Sequence, residues 1–590
     1  MATRTISTAR ALLAVIALMM FLADSMARSF TQLPGSVSRP QVPYERLAGI
    51  NGMPLSNGLK PVVFTDVTSA SKITWTHDNL ATPEKYLIET MGAGGAFLDF
   101  DQDGLMDIYL VNSGPTPYHK PKSPIRNALY RNNGDGTFVD VTDKAGVAGG
   151  SFGQGVAVAD FNNDGYPDIY VTGFGKNILY KNNGDGTFSD VTAKAGVACS
   201  GWSTSAAFFD YDNDGYLDLF VCRYMDWDFA KNIVCGENKP GYRSYCHPNN
   251  FKGISSVLYH NNGDGTFTDV TRKAGIESSD GKALGVVCAD FNNDGLVDIF
   301  VANDAVRNFL YLNNGNGTFT ENGLLAEVAY GMSGRPRSGM GCDFGDIDGD
   351  GFLDLIVTNI DLETNTVYLN NRDGTFTDVT ARVGLGQVSM LFSGFGAKLV
   401  DYDNDGDLDL FIANGHPLDN VHLYREGVTW AEHPFIHDNT GGHFVDVSDQ
   451  RGEAIKKKYS ARGLAVGDYD NDGDEDLLLV QNGGPPVLLR NDGGNQNNWV
   501  GLHLIGTKSN RDAVGARVTL TAGDLKLVRQ IEGGSSYCSA HDPRLLLGLG
   551  QRHKVDQIEI RWPSGVIDKI TDMQINRYTT IKESGEPRKP

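Results

Sequence analysis

Seven times along this 590-residue chain a run of acids takes the form D-x-[DN]-x-D-G-x-x-D. The first four copies present Asp99, Asp101, Asp103 and Asp107, then Asp160, Asn162, Asp164 and Asp168, then Asp210, Asp212, Asp214 and Asp218, then Asp290, Asn292, Asp294 and Asp298. The last three present Asp346, Asp348, Asp350 and Asp354, then Asp401, Asp403, Asp405 and Asp409, then Asp468, Asp470, Asp472 and Asp476. Oxygen donors at positions 1, 3, 5 and 9, with Gly at 6 permitting a sharp bend, describe a chain wrapped around a hard cation. Ca²⁺ takes six to eight such oxygens, so up to seven Ca²⁺ ions are expected, in a mainly structural role. Asn162 and Asn292 keep a carbonyl oxygen but drop a charge, which predicts weaker second and fourth sites.

The same string also opens an EF-hand loop. An EF-hand needs a bidentate Glu at position 12 and a helix on either side. Position 12 here is Leu110, Val171, Val221, Val301, Val357, Ile412 or Leu479, apolar in every copy. The flanks are short and β-branched or aromatic, as in GVAVADF before the second loop and PDIYVTG after it. Such flanks predict strands, so each acidic loop is the turn of a β-hairpin. A second hairpin follows, with an Asn-Gly or Asp-Gly turn, as in NILYKNNGDGTFSDVT (177–192). Two hairpins per unit and seven units predict an all-β fold, a seven-bladed β-propeller over 61–496. The seventh unit lacks its TFxDVT strand, whereas VFTDVT (63–68) stands alone before the first loop. Pairing Phe64–Thr68 with Val487–Arg490 would close the ring and remove its open edges.

Beyond about 497 the acidic loops stop, and alternating strand-like runs predict a small β-domain over 497–583, with a polar, disordered tail at 584–590. Residues 1–27 carry Arg4 and Arg10, an apolar run over 11–23 and a small-x-small site at Ser25-Met26-Ala27. That is the pattern of a secretory signal, followed by a linker over 28–60; no other stretch is apolar enough to span a bilayer. Secreted, periplasmic or cell-surface placement is therefore expected. The net charge is −22. Twenty-six of the acids sit at ligand positions, and seven divalent ions would bring the total to about −8. The acidity is local to the loops and argues against a nucleic-acid partner.

There are seven cysteines. Cys235 and Cys246 flank GENKPGYRSY inside a long insertion after the third loop, and an oxidising compartment would permit a disulfide between them. Cys222, Cys288 and Cys342 fall in or beside strands and read as buried thiols, while Cys199 and Cys538 are open. The insertion, Tyr224 to Phe251, also carries Trp227, Phe229, Tyr242 and Tyr245. These aromatics suit capture of a protein or glycan if exposed, or packing of the insertion if not.

The acidic units resemble FG-GAP/VCBS repeats, the calcium-binding blades also found in integrin α-subunit heads. NNWVGLHLIG, NRDAVGARV, GGSSY, DPRLLLGLG and IEIRWPSG resemble an ASPIC/UnbV domain. The combination is similar to the cartilage acidic protein family and its bacterial relatives. The resemblance implies a secreted calcium-binding propeller acting in adhesion or extracellular binding of protein or glycan, and it brings no established reaction. No G-x-S-x-G, H-E-x-x-H or glycine-rich phosphate loop is present. His433 and His437 are interrupted by Pro434, and His437, set beside Arg131 of an ordinary blade, reads as structural rather than zinc-binding. His416 in ANGHP reads as a turn residue, and Trp499 and Trp562 as core of the small domain. A polysaccharide lyase or hydrolase would need an acid/base pair in the channel away from the loops. A scaffold for the C-terminal domain is a further alternative.

Overall fold

The computed structural model describes residues 60–118 and 124–584. The signal pattern at 1–27, nearly all of the linker and most of the tail lie outside the described residues. The described residues form one compact unit. Seven four-stranded antiparallel sheets supply most of it. Blade two shows the pattern: Phe152–Ala159 innermost, the acidic loop, then Asp168–Phe174, Ile178–Asn182 and Phe188–Asp190. Each innermost strand lies against those of its two neighbours, and that of blade one against blade seven, so the sheets form a closed ring. In blade seven the outer strand comes from the far end of the chain. Val63–Asp66 pairs antiparallel with Val487–Asp492, Phe64 opposite Asn491 and Thr65 opposite Arg490. The pairing covers two of the predicted partners, Leu489 and Arg490, and two residues beyond, because Asn491 and Asp492 extend the strand.

Two sets of side-chain amides bind blade to blade. The Asn that ends the third strand of each blade donates its Nδ2 to the carbonyl of position 2 in the preceding blade's loop. The pairs are Asn132 with Tyr469, Asn182 with Phe100, Asn261 with Phe161, Asn313 with Tyr211, Asn370 with Phe291, Asn439 with Ile347 and Asn491 with Tyr402, all at 2.7–3.0 Å. The second set belongs to position 4 of the acidic loops and is described below.

The segment 497–583 is all-β, but it is no detached module. One sheet orders Leu545–Gly550, Asn498–Ile505 and Tyr578–Lys582, and the other orders Leu525–Gln530, Arg517–Ala522, Gln557–Arg561 and Ile567–Ile570. Trp499 and Trp562 are buried in it, at 5% and 3% exposure. Val514, Leu527 and Ile531 share a hydrophobic core with Ala207 and Val297 of the propeller. The stretch between Gln530 and Leu545 runs up the propeller's central channel. It bonds to the innermost strands of six blades: Phe208 N to Gly533 O, Lys398 Nζ to Ser535 Oγ, Cys342 N to Ser536 O, Val156 N to Cys538 O, Ala540 N to Gly95 O, and Asp542 N to Val466 O. Tyr537 lies fully buried at the tip, edge-on to Phe395, its hydroxyl donating to Met91 O at 3.1 Å. The glycines facing this plug leave no room for a side chain: a Cβ on Gly94 would lie 1.5 Å from Cys538 O. Glu583, placed at the domain's edge by sequence, is 5% exposed and accepts from Thr507 N, Lys508 N and Ser509 N, and Ser584 N donates to Asp568, so the order runs one residue past the expected boundary.

On the opposite face the insertion is joined by a Cys235–Cys246 disulfide. It crosses the mouth of the ring: Tyr245 Oη donates to Glu89, and Gly241 O and Arg243 O accept from Asn420 of blade six. Tyr224, Trp227 and Tyr245 are buried at 1%, 4% and 6% exposure, so packing, not presentation, is their role. Cys199, Cys222, Cys288, Cys342 and Cys538 are buried free thiols.

Candidate metal centres

Each acidic loop is a tight turn held by its own carboxylates. Position 1 receives the backbone N–H of position 6 in every loop and that of position 5 in all but the fifth and sixth, where Asp350 N and Asp405 N turn to position 3; Asp99, for example, accepts from Asp103 N at 3.0 Å and Gly104 N at 2.9 Å. Position 9 begins the second strand and faces back into the turn. Asp107 accepts from Phe100 N at 3.1 Å and from Asn132 N, on the third strand, at 2.7 Å. The left-handed backbone at position 4, with φ between 56° and 59° for Gln102, Asn163, Asn213, Asn293, Asn404 and Asn471, is one that Asn and Gly tolerate best. These bends bring the acids together. Ligand oxygens of Asp99, Asp101 and Asp107 lie within 4.8 Å of one another, as do those of Asp210, Asp212 and Asp214, of Asp346, Asp348 and Asp354, and of Asp401, Asp403 and Asp409.

The donor set fits a divalent cation. Asp101 Oδ1, Asp346 Oδ1, Asp401 Oδ1, Asp409 Oδ2 and Asp470 Oδ1 are buried and accept no hydrogen bond. A buried carboxylate oxygen with no donor is costly, and a cation at the centre of the turn would satisfy it. Position 5 is more exposed and partly engaged: Asp103 contacts Arg131 at 2.8 Å, Asp164 contacts Lys181 at 2.6 Å and Asp350 contacts Arg372 at 2.6 Å. In the second and fourth loops the amide nitrogen of Asn162 turns to Asp168 at 3.4 Å and that of Asn292 to Asp294 at 2.9 Å. Their carbonyl oxygens accept from Asp164 N and Asp294 N at 3.0 Å.

Burial pushes the Asp107, Asp210, Asp298 and Asp354 carboxyls up to about 8, and those of Asp160, Asp218 and Asp468 to about 7. Without a cation these groups favour the native state only while protonated. That stabilisation is complete in acid, below the carboxyl range of the unfolded chain, and is lost as pH rises through about 7–8. In EDTA the melting temperature is therefore expected to fall between pH 6 and pH 8.5, whereas in millimolar Ca²⁺ it should hold. A flat EDTA profile across that window would contradict the geometry.

Two site residues escaped the sequence reading. His260 sits on the third strand of blade three, its Nδ1 3.2 Å from Asp218 and 3.6 Å from Asp212. The signal was its place just before Asn261, the place that Arg131 and Lys181 hold in their blades. Asp474 lies fully buried in the seventh loop, its Oδ1 without a partner, and burial followed by the charge of Asp472 pushes its carboxyl to about 9. His437 corresponds to Tyr130, not Arg131, since each pairs with the Asp two residues beyond the Phe of the next strand. The TGG turn of blade six is one residue shorter than NGDG, which displaced the alignment by one. His437 is enclosed in the blade with both ring nitrogens unbonded, its ring 5.4 Å from Phe435. His416 Nδ1 does accept from Leu418 N at 3.0 Å, fixing a turn.

The C-terminal domain covers these loops. Asp160 N donates to Asp512 at 2.7 Å, Gly548 N to Asp401 at 3.2 Å and Tyr578 Oη to Asp468 at 2.9 Å. A cavity of about 730 Å³ lies beneath it, lined by Glu475, Glu532, Lys398 and His541 among others. Glu532 is held by Lys398 at 2.9 Å.

The description "FG-GAP-like repeat" matches over 99–171, 160–221, 255–301, 290–357, 346–412 and 401–479, spans that contain all seven acidic loops. The chain belongs to the FG-GAP-like repeat family. Residues 506–588 match "ASPIC and UnbV". Cartilage acidic protein 1 of Xenopus tropicalis is 28% identical over 325 residues, 53% of this FG-GAP chain and 47% of that protein. The Homo sapiens protein of the same name is 27% identical over 303 residues, 50% of this chain and 43% of that protein. The chain thus spans about half the length of the curated relatives it matches. An Agrocybe aegerita lectin solved with regard to recognition of non-reducing terminal N-acetylglucosamine is 19% identical, with a TM-score of 0.36, over 60% of this chain and 79% of that one.

Proposed function

We propose that this FG-GAP protein is a secreted or periplasmic calcium-loaded propeller whose insertion face binds a protein partner. The observation that carries the binding role is the placement of its exposed apolar side chains. Eleven large hydrophobic residues are exposed among the described residues, and nine of them, Tyr118, Ile233, Val234, Leu324, Leu325, Met332, Leu362, Met390 and Leu391, lie on loops opposite the acidic ones. The acidic face is occupied by the C-terminal domain and the channel by its plug, which leaves this face for a ligand. Eight of the nine are aliphatic or Met, which suits a protein interface; a glycan would stack on exposed aromatic rings, and those of the insertion are buried or half-buried. Among the described residues no helix is long and apolar enough to cross a membrane.

The calcium assignment rests on the convergent carboxylates and their unbonded oxygens. In each loop the ion would be held by positions 1, 3, 5 and 9. It would neutralise acids that otherwise repel one another and clamp the turn between the two inner strands of the blade. No chemical step is required of it.

An array of extracellular domains probed with the secreted protein in Ca²⁺ tests the binding role. Replacing both Leu324 and Leu325 by Glu is expected to weaken a hit about ten- to a hundredfold, the cost of losing one or two buried aliphatic anchors. Undiminished binding by that variant, or hits confined to glycans, would overturn the reading.

A further inference from the structure

Each acidic loop exposes the carbonyl of its position 6 Gly to the preceding loop of the ring. In five of the seven cases the preceding loop's position 4 amide takes it. Gln102 donates to Gly165 O, Asn163 to Gly215 O at 2.9 Å, Asn213 to Gly295 O at 3.4 Å, Asn404 to Gly473 O at 2.8 Å and Asn471 to Gly104 O at 2.8 Å. The remaining two carbonyls belong to the fifth and sixth loops. Position 4 of the fifth loop is Gly349, which has no side chain to offer the sixth. The acceptors are nevertheless met. Arg517 Nη2 donates to Gly351 O, and Arg529 Nη2 donates to Gly406 O at 3.3 Å. Both arginines come from the C-terminal domain, and both are largely buried there. The acids that face Arg529 are Asp401, Asp346, Glu475 and Asp407, and those that face Arg517 are Asp290 and Asp346.

We propose that Arg529 and Arg517 are positioning residues for the fifth and sixth loops: the C-terminal domain completes the ring of loop-to-loop bonds at the two links the propeller does not make itself. Arg529 does for the sixth loop what Asn404 does for the seventh. Its guanidinium is a rigid donor fork, so one side chain can bond Gly406 O and Val528 O together and fix the loop to the domain. A charged donor buried against a carbonyl is also a stronger bond than an amide's. The inference rests on the calcium reading only in that the loops hold ligands; the bonds exist with or without an ion. It gives the C-terminal domain a specific task, locking the acidic face, beyond being carried by the propeller.

The missing link can be rebuilt. Gly349 has φ +73°, the conformation the other loops give to Asn, and an added Cβ meets nothing within 4 Å. Gly349→Asn should therefore supply the absent amide to Gly406 O. Hydrogen exchange read peptide by peptide on the full chain, in saturating Ca²⁺ and again in EDTA, is the test. In Ca²⁺, Arg529→Ala is expected to speed exchange across 401–409 about tenfold, the loss of one charge-assisted bond, and leave 160–168 unchanged. Gly349→Asn should restore most of that protection in the Arg529→Ala background and change little alone. Failure of the rescue, or equal gains in both backgrounds, overturns the proposal, since a merely space-filling arginine would not be replaced by an amide on another blade. The calcium reading fails separately: wild-type exchange across 401–409 would then be the same in Ca²⁺ and EDTA, while the coupling between 349 and 529 could still be measured.

Discussion

Excess EDTA is expected to lower the melting temperature by about 8 °C, the largest single response this protein should show. At tenfold excess over Kd each filled site adds about 1.4 kcal/mol, so seven sites add roughly 10 kcal/mol, and an entropy of unfolding in proportion to this chain's length converts that to the stated shift. The loss should be greater at pH 8.5 than at pH 6, because protons partly stand in for the ion on Asp107, Asp210, Asp298 and Asp354. Readdition of Ca²⁺ should reverse it and Mg²⁺ should not, since Mg²⁺ demands tighter octahedral geometry and keeps its waters. A scanning-calorimetry trace unmoved by chelation would remove the metal from the account and leave the buried carboxylate oxygens unexplained.

The second large effect is expected at the tip of the channel plug. Tyr537→Ala should cost about 3–5 kcal/mol, the range for deleting a fully buried aromatic side chain. The side chain has no exposure, packs against Phe395 and donates to Met91 O, so nothing nearby can collapse into the hole without moving an innermost strand. Tyr537→Phe should keep most of the stability, losing one hydrogen bond worth about 1 kcal/mol. The readouts are the melting temperature and protease nicking within 531–544, which should appear in the Ala variant alone. A resistant Ala variant within about 1 kcal/mol of the parent would mean that the plug is not seated as described.

The repeat was legible because it is periodic. Acids at positions 1, 3, 5 and 9 announce a turn whatever lies around them, and a unit short of one strand at Val487–Asp492 pointed to the stray strand at Val63–Asp66. Position 4 was visible as a recurring Asn or Gln, yet its role was not, because its partner carbonyl lies on a different repeat. The plug was invisible for another reason. GGSSYCSA has neither a strand's alternation nor a helix's period, so it reads as an ordinary loop, and only the glycines on the facing strands, Gly94 among them, record what passes between them. The aromatics of the insertion show the limit of composition: Trp227 and Tyr245 would suit a binding platform or a core equally, and burial decides for the core. His260 was overlooked because its sequence neighbours are those of a hairpin, while its chemical neighbours, Asp212 and Asp218, stand more than forty residues upstream.

The N-terminal strand and the plug together govern how such a molecule comes into being. Thr65 meets Asp492 and Gly95 meets Ser539, contacts that span 427 and 444 positions. A chain emerging during synthesis can lay down blades one after another, but as an unsealed arc with a naked sheet edge at each end. The clasp cannot shut until residues near 492 appear, and the keystone is later still, made after every blade it must fit between. Native order thus arrives at the end of synthesis rather than along the way, and any truncation upstream of the keystone leaves a half-built vault with its adhesive margins exposed.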